Sequence, residues 1–217
     1  MNIIFDYDGT LHETLYIYKP AFLKAYDWLV KNGYAEPREF TDKEIRGWIG
    51  YNARVMWQTF MPGLPEDVRA HCSEIVGQTM REEIEAGHAR LYRHATEVLD
   101  LLNAHGHTLI FLSNCKRYYL EAHTKAFGLK RYFYDMYCTE DYNFRPKHEI
   151  FPEIKKKYTG TFIVVGDRSN DMELAKRHGL YAIGCAYGYG SPGELKDADA
   201  IINFPVEMMS FIPAGEL

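Results

Sequence analysis

The sequence lacks the features that would place it in a membrane or in an oxidising compartment. No run of about 18 consecutive apolar residues occurs, so no membrane-spanning helix is predicted. The N-terminal residues lack the basic and apolar segments of a secretion signal, so no export is predicted. The four cysteines, Cys72, Cys115, Cys138 and Cys185, are too widely spaced for a zinc site or a dense disulfide scaffold. We therefore expect reduced thiols and a cytoplasmic protein.

The sequence also lacks an excess of positive charge. Its 25 basic and 30 acidic residues give a net charge of −5 over 217 residues. A protein that neutralises nucleic-acid phosphates or anionic lipid carries the opposite sign, so neither nucleic acid nor a membrane is expected as a partner. A small anionic substrate would need a local cationic side chain or a bound metal ion to hold it. The chain is expected to be a monomer or a homodimer.

Short apolar runs that end in polar residues indicate a parallel β-sheet. The clearest runs span residues 3–5, 108–112 and 162–165, and further candidates span 133–138 and 181–186. Continuous apolar runs of this length, separated by amphipathic helices, are typical of central strands that are covered on both faces. The sequence therefore predicts an α/β fold with a doubly wound, Rossmann-like parallel sheet.

Residues 13–90 interrupt this alternation. They contain no convincing strand, and their apolar residues have helical spacing. We therefore predict an all-α domain at residues 13–90, inserted into an α/β core domain that is formed by residues 1–12 and 91–217. Both parts have sizes that are common for compact domains.

Helix boundaries within the insert can be predicted from individual residues. Pro20 suits the first position of a helix that ends at Gly33. Thr41 and Glu44 have the spacing of a capping box at the start of a short helix. Pro65 is expected to open a longer helix. The insert thus reads as consecutive helices.

Two aspartates follow the first predicted strand. Asp6 and Asp8 belong to the sequence Asp-Tyr-Asp-Gly-Thr, which ends at Thr10. In an extended segment, side chains at positions i and i+2 point to the same side, and ligands bind at the carboxyl edge of a parallel sheet. The pair is therefore a candidate for metal binding or catalysis. Taken alone, an acidic turn without function is an equal alternative.

Three further polar motifs lie later in the chain. Ser113 and Asn114 follow the second predicted strand and offer groups for a phosphate oxygen, although taken alone they are more typical of a helix cap. Lys147 lies in a Pro-containing segment and is uninformative alone. Asp167 ends a buried strand, and Asp171 lies near the start of the next helix, where it can simply complement the helix dipole. Because all of these segments are expected at one rim of the sheet, they predict one site.

In this order, the motifs resemble those of the haloacid dehalogenase superfamily, in its phosphatase branch with a helical cap inserted after the first motif. The resemblance covers nearly the whole chain. Residues 186–190, 194–195 and 198–199 look most like phosphoglycolate phosphatase-like members. The resemblance implies a haloacid dehalogenase-type core, a cap that closes over it, and hydrolysis of a small phosphomonoester.

The resemblance also implies roles for the acidic residues and the lysine. The expected catalytic residues are Asp6, as the nucleophile that forms an aspartyl-phosphate, Asp8, as acid and base, and Lys147. Several carboxylates around a phosphate dianion repel one another, and oxygen ligands suit Mg²⁺, which is the expected cofactor. The expected metal ligands are Asp6 and Asp167 by side chain and Asp8 by its backbone carbonyl. Asp171 is expected to close the metal site or to orient Lys147.

Substrate contacts are expected from both predicted domains. Thr10, Ser113 and Asn114 are expected to contact the phosphoryl group. Asn52 and Arg54 lie in a loop between two helices of the insert and are expected to reach the rest of the substrate. For Arg54, a position on a solvated helix face is an equal alternative.

Two other functions remain open. Sugar-phosphate mutases of the superfamily typically carry a histidine shortly after the first motif, whereas residues 14–18 contain none. A catalytically silent protein that keeps the fold for binding or regulation is the alternative from another class.

A dehalogenase is not favoured, because carbon–halogen cleavage needs no leaving-group acid at Asp8. Gly188, Gly190 and Gly193 match a dinucleotide fingerprint, but too few residues follow to complete a βαβ unit.

Overall fold

The computed structural model describes residues 1–212 of the chain. The chain forms two compact units, one of Met1–Glu13 with Leu91–Leu217 and one of Thr14–Arg90. The first is termed the core unit and the second the helical unit. The helices of the helical unit are α1 (Leu15–Lys31), α2 (Asp42–Arg46), α3 (Ala53–Phe60) and α4 (Glu66–Glu85).

The core unit contains a six-stranded sheet with the strand order β3-β2-β1-β4-β5-β6, in which all neighbours pair in parallel. The strands are β1 (Asn2–Phe5), β2 (Thr108–Ser113), β3 (Asp135–Cys138), β4 (Phe162–Gly166), β5 (Tyr181–Cys185) and β6 (Ala200–Ile202). The helices of this unit are α5 (Ala95–Ala104), α6 (Arg117–Phe127), α7 (Lys147–Lys155) and α8 (Ser169–His178). The predicted doubly wound α/β fold is confirmed.

The two central strands, β1 and β4, are buried along their whole length, and their residues are apolar except for Asn2 at the start of β1. Ile4 of β1 and Val164 of β4 belong to one core cluster with Phe151 of α7. Burial of each such side chain stabilises the fold by about 1.5–3 kcal/mol. Phe5 pairs with Val165 in register, so the residues that directly follow β1 and β4 emerge side by side.

Two sequence predictions differ from the structure. Pro20 does not open its helix but lies inside α1, which begins at Leu15. Ile17 and Tyr18 are buried and extend the apolar face towards the N-terminus, so packing outweighs the hydrogen bond that proline cannot donate. Strand β6 was not predicted, because it has three residues and its middle residue is exposed.

The helical unit has an aromatic interior. The ring of Phe22 lies 4.8 to 6.4 Å, between centroids, from those of Phe40, Trp48, Trp57 and Phe60. The predicted capping box at the start of α2 is present, with Glu44 N–H donating to the Thr41 hydroxyl and Thr41 N–H donating to the Glu44 carboxylate. Helix α4 begins directly after Pro65, as predicted.

The four cysteines are buried free thiols. Within residues 1–212, no helix combines the length and the apolar character that crossing a membrane requires.

Candidate active site

A buried charged cluster lies at the carboxyl edge of the central strands. Asp6 directly follows β1 and Asp167 directly follows β4, whereas Lys147 opens α7 and Asp171 lies in the first turn of α8. All four residues are at most 4 % exposed. Nζ of Lys147 lies 2.7 Å from Oδ1 of Asp6 and 2.7 Å from Oδ1 of Asp171. Lys147 therefore bridges two carboxylates from different elements.

Asp167 is held by the segment that follows β5. Tyr189 N–H donates to Oδ2 of Asp167 at 2.6 Å. Gly188 and Gly190 pack so closely that a Cβ atom on them would lie 2.4 Å and 1.8 Å from atoms of Asp167. Two of the three glycines that resemble a dinucleotide fingerprint, Gly188 and Gly190, thus allow close packing against the side chain and the backbone of Asp167.

Burial dominates the electrostatics of the charged cluster. Burial and the charge of Asp171 raise the pKa of Asp6 to about 7, although Lys147 acts in the opposite direction. Burial, with the charges of Asp6 and Asp171, raises the pKa of Asp167 well above its usual value. Burial alone would lower the pKa of Lys147, but the two carboxylates outweigh it and raise that pKa. The lysine therefore stays charged.

The charged cluster fits a divalent cation with oxygen ligands. One carboxylate oxygen from each of Asp6, Asp167 and Asp171 lies within 4.8 Å of the others. Oδ1 of Asp167 is buried and has no hydrogen-bond partner within residues 1–212. Such an oxygen is unfavourable unless something compensates it, and a cation would do so. A donor set of carboxylate oxygens suits Mg²⁺.

Asp8 lies two residues beyond Asp6 but in different surroundings. Its Oδ1 accepts a hydrogen bond from Oη of Tyr119 at 2.7 Å and lies 3.1 Å from Nδ1 of His12. Tyr7 stacks on His12, and its hydroxyl lies 2.8 Å from Nδ1 of His123. These four aromatic residues, Tyr7, His12, Tyr119 and His123, are termed the ring cluster. All four are at most 5 % exposed.

The predicted phosphate-binding residues lie in the core unit. Ser113 ends β2, the neighbour of β1, and Asn114 follows it. Thr10 is buried, and its hydroxyl has no hydrogen-bond partner within the described residues. A hydroxyl of this kind is a candidate for a ligand contact.

Asn52 and Arg54 belong to the helical unit. Asn52 caps α3, because its Oδ1 accepts a hydrogen bond from Val55 N–H at 3.0 Å. Arg54 is exposed and lies in the first turn of α3, not in the loop that was predicted from the sequence. The contact of both residues with a substrate stays a prediction.

Sequence reasoning missed the ring cluster. Tyr119 is 111 residues from Asp8 along the chain and comes close only through the fold. His12, four residues after Asp8 and next to the apolar Leu11, was the one local signal. A histidine at such a position is able to reach back to the carboxylate of Asp8.

The chain is similar to known proteins along most of its length. The sequence model of a family described as haloacid dehalogenase-like hydrolase matches residues 3–185. The phosphoglycolate phosphatase of Vibrio parahaemolyticus is 25 % identical over 226 residues, which cover 97 % of this chain and 95 % of that protein.

Solved structures share the fold. A haloacid dehalogenase-like hydrolase from Streptococcus pneumoniae has a TM-score of 0.79 at 20 % identity, with 97 % of each chain covered. A predicted phosphoglycolate phosphatase from Haemophilus somnus has a TM-score of 0.79 at 23 % identity, with 96 % of each chain covered.

Proposed function

Because this chain belongs to the haloacid dehalogenase-like hydrolase family and is a phosphoglycolate phosphatase-like hydrolase, we propose that it hydrolyses a small phosphomonoester with Mg²⁺ through an aspartyl-phosphate. The observation that carries this proposal is the buried Lys147 between Asp6 and Asp171, next to Asp167. This arrangement provides a cation beside a nucleophilic carboxylate in a chain whose net charge is −5.

In the first step, a carboxylate oxygen of Asp6 attacks the phosphorus atom in line with the ester oxygen. The bond between phosphorus and the ester oxygen breaks, and protonated Asp8 gives its proton to that oxygen, which leaves as an alcohol. Lys147 donates to a phosphoryl oxygen and stabilises the negative charge that develops there.

In the second step, the Asp8 carboxylate takes a proton from a water molecule, whose oxygen attacks the phosphorus atom. The bond between Asp6 and phosphorus breaks, and inorganic phosphate leaves. Asp6 is again a carboxylate and Asp8 is again protonated, so one water molecule is consumed in each turnover.

The metal would be held by the side chains of Asp6 and Asp167 and by the backbone carbonyl of Asp8. When bound, Mg²⁺ would offset the repulsion among the carboxylates and polarise a phosphoryl oxygen. Asp171 accepts from Lys147 Nζ at 2.7 Å and from Arg168 N–H at 3.1 Å. These contacts support a role for Asp171 in orienting Lys147, and its oxygen near the other carboxylates supports a role in closing the metal site.

The phosphoryl group of the substrate would bind to the core unit. Thr10, Ser113 and Asn114 would contact the phosphoryl group, and the helical unit would act as a cap, with Asn52 and Arg54 towards the rest of the substrate. Phosphoglycolate is the first ester to test, because the Vibrio relative is a phosphoglycolate phosphatase. We also propose that the protein is cytoplasmic and is a monomer or a homodimer. The four buried free thiols support a location in a reducing compartment.

The test measures phosphate release from phosphoglycolate, sugar phosphates, nucleotides and pyridoxal phosphate, with Mg²⁺ and with EDTA. We expect hydrolysis of at least one ester with Mg²⁺ and its loss with EDTA. Asp6→Asn should lower turnover by about 10³-fold or more, because the amide is a poor nucleophile. Asp100→Asn, the same change at an exposed ion pair with Arg131, should leave turnover unchanged.

Three outcomes would change the conclusion. Hydrolysis of no ester by the metal-loaded protein would favour a silent binding or regulatory protein. Full turnover by Asp6→Asn would contradict the aspartyl-phosphate mechanism. Conversion of a sugar 1-phosphate into a 6-phosphate would favour a mutase.

A further inference from the structure

The carboxyl group of Asp8 is contacted by two buried side chains from different parts of the core unit. Tyr119, on α6, donates from Oη to Oδ1 of Asp8 at 2.7 Å. His12, four residues after Asp8, places Nδ1 3.1 Å from the same oxygen. Because Tyr119 is 5 % exposed and His12 is fully buried, neither ring has room to move away. Asp8 is thus attached to a rigid part of the fold.

The other two members of the ring cluster hold these rings. Tyr7 stacks on His12 with centroids 5.2 Å apart, and His123 packs on Tyr119 with centroids 4.2 Å apart. Burial lowers the pKa of His123, which is therefore neutral. The hydroxyl of Tyr7 lies 2.8 Å from Nδ1 of His123, within hydrogen-bond distance.

Packing alone does not require the polar atoms of the ring cluster. Its neighbours include Phe111 and Phe127, and a phenylalanine would fill similar space at these positions. Instead, His123 buries an Nε2 atom for which residues 1–212 offer no hydrogen-bond partner. Burial of polar atoms is unfavourable unless their interactions compensate it, and here the hydrogen bonds lead to Asp8.

We propose that Tyr119 and His12 are positioning residues that hold the Asp8 carboxyl group in the orientation for proton transfer, while Tyr7 and His123 fix their rings. The inference rests on the proposed function, in which Asp8 is the acid of the first step and the base of the second. Tyr119 and His12 act on the reaction through Asp8.

Two kinds of ester separate this role from a general effect on the fold. An alkyl phosphate releases a poor leaving group, which needs the proton of Asp8. p-Nitrophenyl phosphate releases a stabilised phenolate, which leaves without that proton. A misoriented Asp8 should therefore slow the first step with the alkyl ester and spare it with the nitrophenyl ester. The second step starts from the same phosphorylated Asp6 in both cases.

The decisive variant is Tyr119→Phe, which removes one oxygen atom and keeps the ring. First-turnover rates are measured by rapid mixing of the magnesium-loaded protein with each ester. We expect release of the alcohol from the alkyl phosphate to slow by about 10- to 100-fold. Release of nitrophenolate in the first turnover should stay within about threefold of the wild type, and so should the half-saturating concentration of both esters.

Matched variants separate positioning from folding. Tyr137→Phe removes the same kind of bond elsewhere, because Tyr137 donates to Oδ2 of Asp135 at 2.8 Å on β3, and it should leave both rates unchanged. His12→Asn keeps an N–H donor close to the position of Nδ1, whereas His12→Leu has none. The asparagine variant should therefore retain more alkyl phosphatase activity than the leucine variant.

The outcomes distinguish the inference from the proposed function. Equal slowing of both esters by Tyr119→Phe, or no slowing of either, would overturn the positioning role while the wild type remains a phosphatase. If the wild type turned over neither ester, the proposed function would fail and the inference would fail with it.

Discussion

The two compact units bury different kinds of side chain. In the core unit, charged side chains are buried at the carboxyl edge of the sheet, namely Asp6, Lys147, Asp167, Arg168 and Asp171. In the helical unit, the buried polar side chains within the described residues are Thr14 and Thr79. Its interior is formed by aromatic rings around Phe22.

This difference supports the proposed position of the active site in the core unit. Burial of charge is unfavourable, so a fold keeps it where a reaction or a ligand requires it. An aromatic interior, in contrast, stabilises the fold by itself through burial of apolar surface and ring packing, so it does not indicate a reaction or a ligand. Substitutions in the charged cluster should therefore change metal binding and pH behaviour, whereas those in the helical unit should change stability.

The largest effect is expected from Lys147→Met. The variant leaves the carboxylates of Asp6 and Asp171 buried without their cation, which should lower the free energy of unfolding by about 3–5 kcal/mol at pH 8 without Mg²⁺. Urea unfolding measures this change. Lys176→Met, at an exposed pair with Asp197, should cost less than about 1 kcal/mol. Equal losses in the two variants would contradict the contrast between buried and exposed charge.

A smaller effect is expected from Gly190→Ala. The new Cβ would meet the backbone oxygen of Asp167 at 1.8 Å, and backbone atoms cannot move aside cheaply. The variant should lose about 1–3 kcal/mol of unfolding free energy and bind Mg²⁺ more weakly. Gly193→Ala is the control, because its nearest atom, Oγ of Ser191, lies at 3.9 Å. Wild-type Mg²⁺ affinity in Gly190→Ala would argue against Asp167 as a ligand.

The pH dependence of Mg²⁺ binding tests the charged cluster without mutation. The folded-state pKa of Asp6 is about 7, raised from 3.8 by burial and by the charge of Asp171. A raised carboxylate pKa stabilises the metal-free fold at low pH, and this stabilisation is lost as the pH rises from about 4 to 7. Mg²⁺ binds the ionised form, so its apparent Kd should increase about tenfold per pH unit below about pH 7.

Calorimetric titration with Mg²⁺ at several pH values measures this slope. Tyr119→Phe, which changes the ring cluster only, should keep the slope of the wild type. An affinity that is constant between pH 5 and 8 would contradict competition between protons and the metal at Asp6.

The smallest effect is expected in the helical unit, from Asn52→Ala. Loss of the hydrogen bond to Val55 N–H removes the cap of α3 and should cost about 1 kcal/mol of unfolding free energy. Asn52→Ser keeps a capping oxygen and should restore most of that stability. Thermal unfolding compares the variants, and equal stability of alanine and serine would show that the cap contributes nothing. An increase in KM in both Asn52 variants would indicate that the Asn52 side chain also contacts the substrate.

The shared edge of the charged cluster could be predicted because it depends on topology rather than on distance along the chain. Asp6 and Asp167 each follow an apolar run, and parallel strands end at the same edge of the sheet. The sequence could not show that Lys147 Nζ lies 2.7 Å from both Asp6 and Asp171, because β1, α7 and α8 must pack together before these atoms meet. The catalytic roles of these residues stay predictions.

Local patterns were reliable where the structure depends on neighbours in sequence. The capping box of Thr41 and Glu44 involves atoms three residues apart and formed as predicted. Pro20 was misplaced because the burial of Ile17 and Tyr18, a tertiary effect, extended α1 beyond the proline. The ring cluster was missed for the same reason, since Tyr119 and His123 reach Asp8 and His12 only after α6 packs on the core.

The α/β fold and the family could be predicted from the sequence alone, because short apolar runs and short motifs depend on residues that are close along the chain. The difference between the two aspartates of the first motif, in contrast, depends on how the folded chain packs around them. Asp6 faces a lysine and two carboxylates, whereas Asp8 faces tyrosine and histidine rings. The electrostatic environment of a carboxyl group depends on all atoms within a few ångströms, and most of these come from distant parts of the chain.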